Sequence, residues 1–469
     1  LKAFYKKQTI SLIHLPKDCY DNLCFETSSC WGSQAPSHMS IFIYTIFSKK
    51  LNVNNIKVLT FDINTDSSSK YGSTYYVWEN QTSELLNSIQ NFCYQWRCTY
   101  QTLYEADYRQ FSMERIRTRK ERILAHVTVE GVTTDSVHFA VIFSRNDYMW
   151  IAKFRKSKLF PMALPKTDFI EYKMKCSIST DAQVYVPRDW TKFSWLLDRS
   201  SFMECNYKDV VWPYYEKHER TMVPLEPYVQ GLRAMMEVSR QTMNTITVIV
   251  TMKALGSWYR QCDFIVESQD FDFNINSTDF SSEFFQTLWS HRHLKPVMRL
   301  QNENKISEYR IFAPQRKVFD LFFMYFQEDK YSIFIVHAKN FQLWRQDFPF
   351  YDRICSADLL GVLIYLPCDP FKLIQAEYDH DRWMSPNETK QSNMHFVRKF
   401  DDRKFFNQTM TNLLQCSKGV LRYGTILQNS TFNTQRCLLL GGTEHDPGGE
   451  WEVRKSSFEH IHVFFDFDE

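Results

Sequence analysis

The sequence is poor in the residues and patterns that mark several protein classes. Glycine (12) and proline (15) are scarce among 469 residues, which excludes collagen-like and low-complexity disordered chains. Lys+Arg (56) nearly balance Asp+Glu (54), so the chain as a whole has no polyanion-binding character. No stretch reaches the roughly 18 apolar residues that span a bilayer, and no Cys-x-x-Cys pair indicates structural zinc. A phosphate-bearing ligand would therefore need a local site.

The length and the apolar content predict more than one folded domain. Hydrophobic residues make up 44% of the chain and aromatic residues 16%, enough to bury sizeable cores. We predict an α/β (α+β) chain with an N-terminal accessory domain over 1–215, a second domain over 228–398 and a C-terminal tail of unknown role over 399–469.

Cysteines and glycosylation sequons favour the secretory pathway. The 12 cysteines suit either several disulfides or ordinary buried thiols. Five Asn-x-Ser/Thr sequons favour the first alternative; they begin at Asn80, Asn276, Asn387, Asn407 and Asn429. Because the chain starts at Leu1 and not at Met, we expect a signal or membrane anchor to precede it.

Alternation and turn signals outline the first half of the chain. Strand candidates lie at 41–47 and 56–63, and paired strands are predicted within 125–155. A strand at 184–187, a helix at 192–197 and a strand at 202–205 follow.

Two further segments have simple interpretations. The basic stretch 109–122 has apolar residues at helical spacing, so we favour a solvated helix face over a nucleic-acid site. From Tyr228 the spacing of Leu232, Met235 and Met236 predicts a helix whose methionines fill the core, and 245–252 reads as a strand.

The acid pair Asp270 and Asp272 carries the first chemical signal. The two aspartates alternate with Phe271, Phe273 and Ile275, which predicts a strand with both carboxylates on one face. Adjacent like charges repel unless a cation neutralises them, and Mg²⁺ or Mn²⁺ takes carboxylate oxygens. Alone, the pair is weak evidence, because surface strands carry Asp-x-Asp by accident.

The residues around the pair strengthen the signal. Upstream, we interpret an apolar strand ending in Leu255, Gly256 and Ser257, where the glycine would let the backbone approach a phosphate before a helix begins. Downstream, Asp320 lies inside an apolar run and is costly to bury without a partner. Three acids could together hold metal ions for phosphoryl transfer.

At this point the sequence resembles the LicD family, and within it the fukutin branch. The resemblance rests on Trp258-Tyr259-Arg260-Gln261-Cys262 with Asp270-Phe271-Asp272-Phe273, on 319–325, and on 366–378 with Trp383. It covers roughly 230–385 and extends more faintly upstream.

The resemblance implies a nucleotidyltransferase-like catalytic domain that transfers an alcohol phosphate. The donor would be a CDP-alcohol, and the transferred group would resemble ribitol 5-phosphate. The acceptor would be a hydroxyl of an O-linked glycan or glycoprotein. The resemblance further implies a Golgi location with a type II anchor and other Golgi glycosyltransferases as partners. The near-neutral net charge of +2 argues against a nucleic-acid partner. By position, Asp270, Asp272 and Asp320 would hold Mg²⁺ or Mn²⁺ and form the catalytic set. Donor binding would fall to Gly256, Ser257, Trp258, Tyr259 and Arg260, although core packing explains Trp258 and Tyr259 at least as well.

The chain also departs from the family pattern. Lys253-Ala254 stand where relatives usually place Gly-Thr, and Ser268-Gln269 stand where acidic or polar residues are common. A sequon at Asn276 follows the acid pair so closely that glycosylation there would crowd the site. The alternative hypothesis is therefore a non-catalytic paralogue that binds glycans or acts as a scaffold.

Overall fold

The computed structural model describes two compact units, Leu1–Met203 (unit 1) and Glu204–Glu469 (unit 2). The described residues are 58–59, 71–106, 122–130, 136–154, 161–172, 184–205, 225–242, 247–262, 270–302, 305–327, 329–337, 342–378 and 394–399. Within these ranges, no helix is both long and apolar enough to cross a membrane.

Unit 1 is built on a mixed sheet with a helix on each face. Its strands are β1 (Val58–Leu59), β2 (Tyr71–Trp78), β3 (Thr99–Ala106), β4 (Arg122–Glu130), β5 (Ser136–Ser144), β6 (Tyr148–Ile151), β7 (Met162–Pro165), β8 (Phe169–Tyr172), β9 (Val184–Pro187) and the short β10 (Phe202–Met203). Its helices are α1 (Thr82–Trp96) and α2 (Trp190–Asp198). The sheet order is β3-β4-β5-β2-β1-β9-β8, with β6 and β7 continuing from β5.

Both faces of this sheet are apolar. Successive side chains of a strand point to opposite sides, and here consecutive residues such as Tyr75, Tyr76 and Val77 are all hydrophobic. Tyr75 and Val77 pack on the α1 side with Leu85 and Ile89. Tyr76 lies on the opposite side, in the cluster that contains α2 residues such as Phe193. The sheet is therefore buried on both faces.

Unit 2 contains a second mixed sheet, a hairpin and four helices in the described ranges. Its strands are β11 (Ile249–Val250), β12 (Asp270–Asn276), β13 (Lys295–Asn302), β14 (Lys305–Ala313), β15 (Lys317–Gln327), β16 (Lys330–His337), β17 (Gln342–Pro349), β18 (Ile354–Leu359), β19 (Val362–Pro367) and β20 (Met394–Lys399). Its helices are α3 (Glu226–Gln241), α4 (Met252–Gln261), α5 (Ser282–Ser290) and α6 (Pro370–Glu377).

The sheet of unit 2 places β12 beside β15. Its order is β11-β12-β15-β16-β17-β20, and β14 pairs with both β13 and β15. The β12–β15 pair is parallel, whereas β14–β15 is antiparallel. Helix α3 approaches so closely that a Cβ on Gly231 would lie 2.6 Å from the Cβ of Ala313. The β18–β19 hairpin is tied to α3, since Arg240 Nη2 donates to the Leu363 carbonyl at 2.7 Å.

The predicted α/β class is confirmed, and several predicted elements occur where expected. The strands within 125–155 pair as β4–β5 and β5–β6, and the strand–helix–strand succession appears as β9, α2 and β10. Leu232, Met235 and Met236 are buried core residues of α3. Val58–Leu59 falls within the predicted strand 56–63, while 41–47 and most of the basic stretch 109–122 lie outside the described residues.

The prediction that 245–252 and the following residues to Ser257 form a strand is wrong from Met252 onward. In the described part of this segment, 247–257, Ile249 and Val250 form the short β11, Thr251 is the extended N-cap residue, and α4 begins at Met252. The apolar run is short, and periodicity alone does not separate a buried strand from a buried helix.

Candidate metal centre

Two neighbouring parallel strands bring three carboxylates together. Asp272 on β12 lies opposite Asp320 on β15, and Asp270 is two residues away on the same face of β12. One carboxylate oxygen from each of the three residues lies within 4.8 Å of the others. The convergence of the three acids that the sequence singled out is thus a feature of the fold.

The central carboxylate is buried among like charges. Asp272 is only 5% exposed. Burial is the main cause that raises the pKa of Asp272 well above its usual range, and the charges of Asp270 and Asp320 raise it further. The positive charge of Lys253 acts in the opposite direction. A cation at this position would stabilise the ionised form of Asp272.

Asp320 has a basic partner that sequence reasoning missed. Arg310 on β14 pairs in register with Asp320, and its Nε and Nη2 donate to the two carboxylate oxygens at 2.8 Å each. Glu308 lies on the same strand, with one oxygen 3.6 Å from Arg310 Nη2. Burial, and then the charge of Asp320, raise the pKa of Glu308 well above its usual range. The acids therefore lie beside a buried guanidinium.

Helix α4 begins directly beside the carboxylates. The backbone N–H of Thr251, the N-cap residue, donates to the Asp272 carbonyl at 3.2 Å. Asn274 Nδ2 donates to Thr251 Oγ1 at 3.1 Å. The next residue, Met252, has a left-handed backbone conformation with φ of 50°, which is strained for a side chain of this size. The tight turn that leads into α4 is therefore at 251–253.

The proposed cradle at Gly256-Ser257 is not a turn. Both residues are buried in the interior of α4. The Ser257 hydroxyl donates to the Lys253 carbonyl one turn earlier, and a Cβ on Gly256 would be 3.8 Å from Tyr378. The prediction that a strand ends at Gly256-Ser257 is wrong, because α4 begins at Met252, six residues before the predicted helix start at 258.

The two aromatic residues of α4 differ in their burial. Trp258 is buried, and its Nε1 donates to the Asp358 carbonyl of the β18–β19 hairpin at 2.9 Å. Tyr259 is partly exposed and its ring centroid lies 6.0 Å from that of Phe371. The core-packing interpretation of Trp258 is confirmed.

Arg260 lies in a polar environment that α6 completes. Its guanidinium is buried, and its positive charge acts on Tyr378. Burial raises the pKa of Tyr378 well above its usual range, and the adjacent carboxyl of Glu377 raises it further. The negative charge of Glu377 also raises the pKa of Asp272.

Three charged residues around the centre were missed by sequence reasoning. Glu308 and Arg310 stand at alternate positions of β14, which ends before Asp320, and charges at alternate positions of this strand were the available signal. Glu377 lies in the stretch 366–378 that carries the family resemblance, but no site role was predicted for it. Strand pairing and helix packing bring these residues to the site, and neither can be predicted from the spacing of residues along a short segment.

The comparisons with known proteins point to one kind of transferase. No protein-family model matches the chain. The chain is similar to human ribitol-5-phosphate transferase FKTN, with 22% identity over 278 residues, 55% of this chain and 58% of that protein. The protein of the same name from Macaca fascicularis is 23% identical over 210 residues, 44% of this chain and 45% of that protein. The uncharacterized protein T07A5.1 from Caenorhabditis elegans is 30% identical over 130 residues, covering 26% of this chain and 34% of that protein. The chain therefore spans about half the length of the curated relatives it matches.

Proposed function

We propose that this chain is a metal-dependent phosphotransferase of the LicD kind with a nucleotidyltransferase-like catalytic domain. It would move an alcohol phosphate resembling ribitol 5-phosphate from a CDP-linked donor to a glycan or glycoprotein hydroxyl, with release of CMP. The similarity to the FKTN proteins supports the reaction class. The observation that carries the proposal is the convergence of Asp270, Asp272 and Asp320 within 4.8 Å.

The donor set suits a hard divalent cation. All three ligands are carboxylate oxygens, which Mg²⁺ and Mn²⁺ prefer over the nitrogen and sulfur ligands of zinc. The buried, electrostatically strained Asp272 gains most from a cation. Asp270, Asp272 and Asp320 would hold the ion, which supplies charge stabilisation to the transferred phosphoryl group and its leaving group.

The chain's own residues have separate tasks in this scheme. Arg310 fixes the orientation of the Asp320 carboxylate through two hydrogen bonds. The Thr251 N–H binds the Asp272 carbonyl, so the N-terminus of α4 begins next to β12, and its helix dipole would favour a donor phosphate there. Lys253, in this first turn, adds a positive charge that acts on Asp272. Substrate contacts by Tyr259 and Arg260 belong to the same proposal.

Disulfides support the proposed secretory-pathway or Golgi lumen location. Three pairs are formed in the described ranges: Cys93–Cys98, Cys205–Cys262 and Cys355–Cys368. Such bonds persist in oxidising compartments and are rare in the cytosol. The first sequon, Asn80, has an exposed side chain.

Release of CMP tests the proposal. The whole chain should release CMP from CDP-ribitol only with Mg²⁺ or Mn²⁺, and Asp272→Asn should lower the rate on the order of 100-fold or more. Asp369→Asn is the matched control, because this exposed aspartate pairs with Lys372 away from the cluster. Absence of metal-dependent release with every CDP-alcohol tried would reject the enzyme.

A non-catalytic glycan-binding or scaffolding role is the second candidate. It is supported by Lys253-Ala254 at the helix start and by Arg310, which already engages both oxygens of Asp320. Glycan binding without CMP release, unaffected by Asp272→Asn, would favour this candidate.

A further inference from the structure

Arg310 is hydrogen-bonded to the carboxylate of Asp320, which is also a proposed metal ligand. The guanidinium donates one hydrogen bond to each oxygen of Asp320, so two of the roughly four lone-pair positions of this carboxylate are engaged. The pair is buried, with side-chain exposures of 11% for Arg310 and 3% for Asp320. Such a bidentate, desolvated pair is far stronger than an exposed one such as Arg188–Asp168.

The charges of the cluster are partly balanced before any ion binds. Three aspartates contribute three negative charges and Arg310 contributes one positive charge at hydrogen-bonding distance. Lys253, in the first turn of α4, adds a second positive charge that acts on Asp272. A divalent cation at the cluster would therefore lie a few ångströms from a fixed guanidinium, and the two positive charges repel each other.

We propose that Arg310 is a resident counter-cation that competes with the divalent ion for Asp320 and thereby weakens metal binding at this centre. Arg310 is a positioning residue, since it acts through Asp320. The inference rests on the proposed function for the identity of the metal ligands, and it adds a residue of this chain that sets the strength of binding. A purely structural role would change stability but not metal affinity.

Mn²⁺ binding to the whole chain tests this inference, with affinity measured by calorimetry and free Mn²⁺ counted by electron paramagnetic resonance. Arg310→Gln removes the competing charge and should lower the dissociation constant about tenfold. Arg310→Lys keeps the charge, so its dissociation constant should stay within about threefold of the native value. Arg345→Gln is the control, because Arg345 pairs with Asp347 outside the cluster.

A second variant guards against a folding defect. Removing one partner of a buried ion pair leaves an uncompensated charge, so Arg310→Gln alone could unfold the protein. The double variant Glu308→Gln/Arg310→Gln removes one charge of each sign and still frees Asp320. It should show the same tighter binding of Mn²⁺.

The outcomes separate this inference from the proposed function. If the native chain binds Mn²⁺ and loses it in Asp272→Asn, but the Arg310 variants bind no more tightly, only the inference fails. If the native chain binds no Mn²⁺ while an Arg310→Gln variant does, the inference is supported in its strongest form. If none of the folded proteins binds Mn²⁺, both the inference and the metal-dependent function are rejected.

Discussion

At the scale of single residues, a chain of hydrogen bonds links two buried histidines in unit 1. His126 Nε2 lies 3.2 Å from the Lys153 carbonyl, which only accepts, so this nitrogen carries the proton. His126 Nδ1 then accepts from His138 Nε2 at 3.2 Å, and His138 Nδ1 accepts from Thr74 Oγ1 at 3.1 Å. The Phe154 ring stacks on His138 with centroids 4.1 Å apart. Burial lowers the pKa of both imidazoles and keeps them neutral, and for neutral rings the Lys153 carbonyl determines each tautomer along the chain.

This arrangement predicts that acid destabilises unit 1. Burial lowers the pKa of His126 from 6.5 to about 4, and burial also lowers the pKa of His138 well below 6.5. As pH falls below 6.5 the unfolded chain takes up protons that the folded chain refuses, so stability decreases by up to about 1.4 kcal/mol per pH unit for each histidine. For His126 the decrease ends near pH 4. Amide hydrogen exchange of β4 and β5 at pH 7.5, 6.0 and 5.0, corrected for intrinsic rates, measures it.

The control for this prediction is a histidine outside the pair. His293→Gln should leave the pH dependence of β4 and β5 unchanged, because His293 belongs to unit 2. The double variant His126→Gln/His138→Gln should abolish most of it. An unchanged slope in the double variant would contradict the assignment.

At the scale of helices and strands, two glycines in helix interiors have opposite surroundings. Gly231 of α3 faces Ala313 and Phe319 so closely that any Cβ would lie under 3 Å from both. Gly256 of α4 has 3.8 Å to its nearest neighbour, which is ordinary contact. The first glycine is needed for packing and the second is not.

Alanine substitutions should therefore differ in sign. Gly231→Ala should destabilise unit 2 by about 1–3 kcal/mol through overpacking, and it should disturb Phe319, the neighbour of Asp320 in β15. Gly256→Ala should stabilise it by about 0.5–1 kcal/mol, since alanine favours the helix. Urea unfolding measures both. A marked loss of stability in Gly256→Ala would mean that its backbone has a role the helix does not reveal.

Sequence patterns predicted elements where one periodicity dominates and failed where local and tertiary terms compete. Alternation located the strand around Asp270, and helical spacing located α3. The start of α4 was misjudged because Gly256 indicated a turn, whereas burial of Leu255 and Trp258 outweighs the helix penalty of this glycine. Arg310 was missed because its pairing with Asp320 depends on the register of β14 against β15. This register is set by the packing of the whole sheet and cannot be predicted from either strand alone.

At the scale of the whole molecule, the Cys205–Cys262 disulfide closes the longest loop among the described pairs, with a sequence separation of 57. Cys262 caps the C-terminal end of α4, while hydrogen bonds to Thr251 fix the N-terminal end. Helix α4 carries Lys253 and Arg260, and the disulfide therefore fixes the end of this helix that lies farther from the carboxylates.

Removal of this disulfide should cost more than removal of a short one. Cys205→Ser/Cys262→Ser should lower the free energy of unfolding by about 4 kcal/mol in the chain-entropy estimate, against about 2 kcal/mol for Cys93→Ser/Cys98→Ser, whose separation is 5. Differential scanning calorimetry of the whole chain compares the two variants. Equal losses would contradict loop closure as the main source of the stabilisation.

The parallel pairing of β12 with β15 makes formation of the site inseparable from folding. A slip of one residue would place Phe319 or Leu321 opposite Asp272 and turn Asp320 toward α3. Phe319 and Leu321 are both fully buried, so such a slip would bring apolar rings and branches to the carboxylate face and a charge into the core. The hydrophobic core therefore disfavours the shifted register, and the packing that stabilises unit 2 is the same packing that assembles the acid cluster.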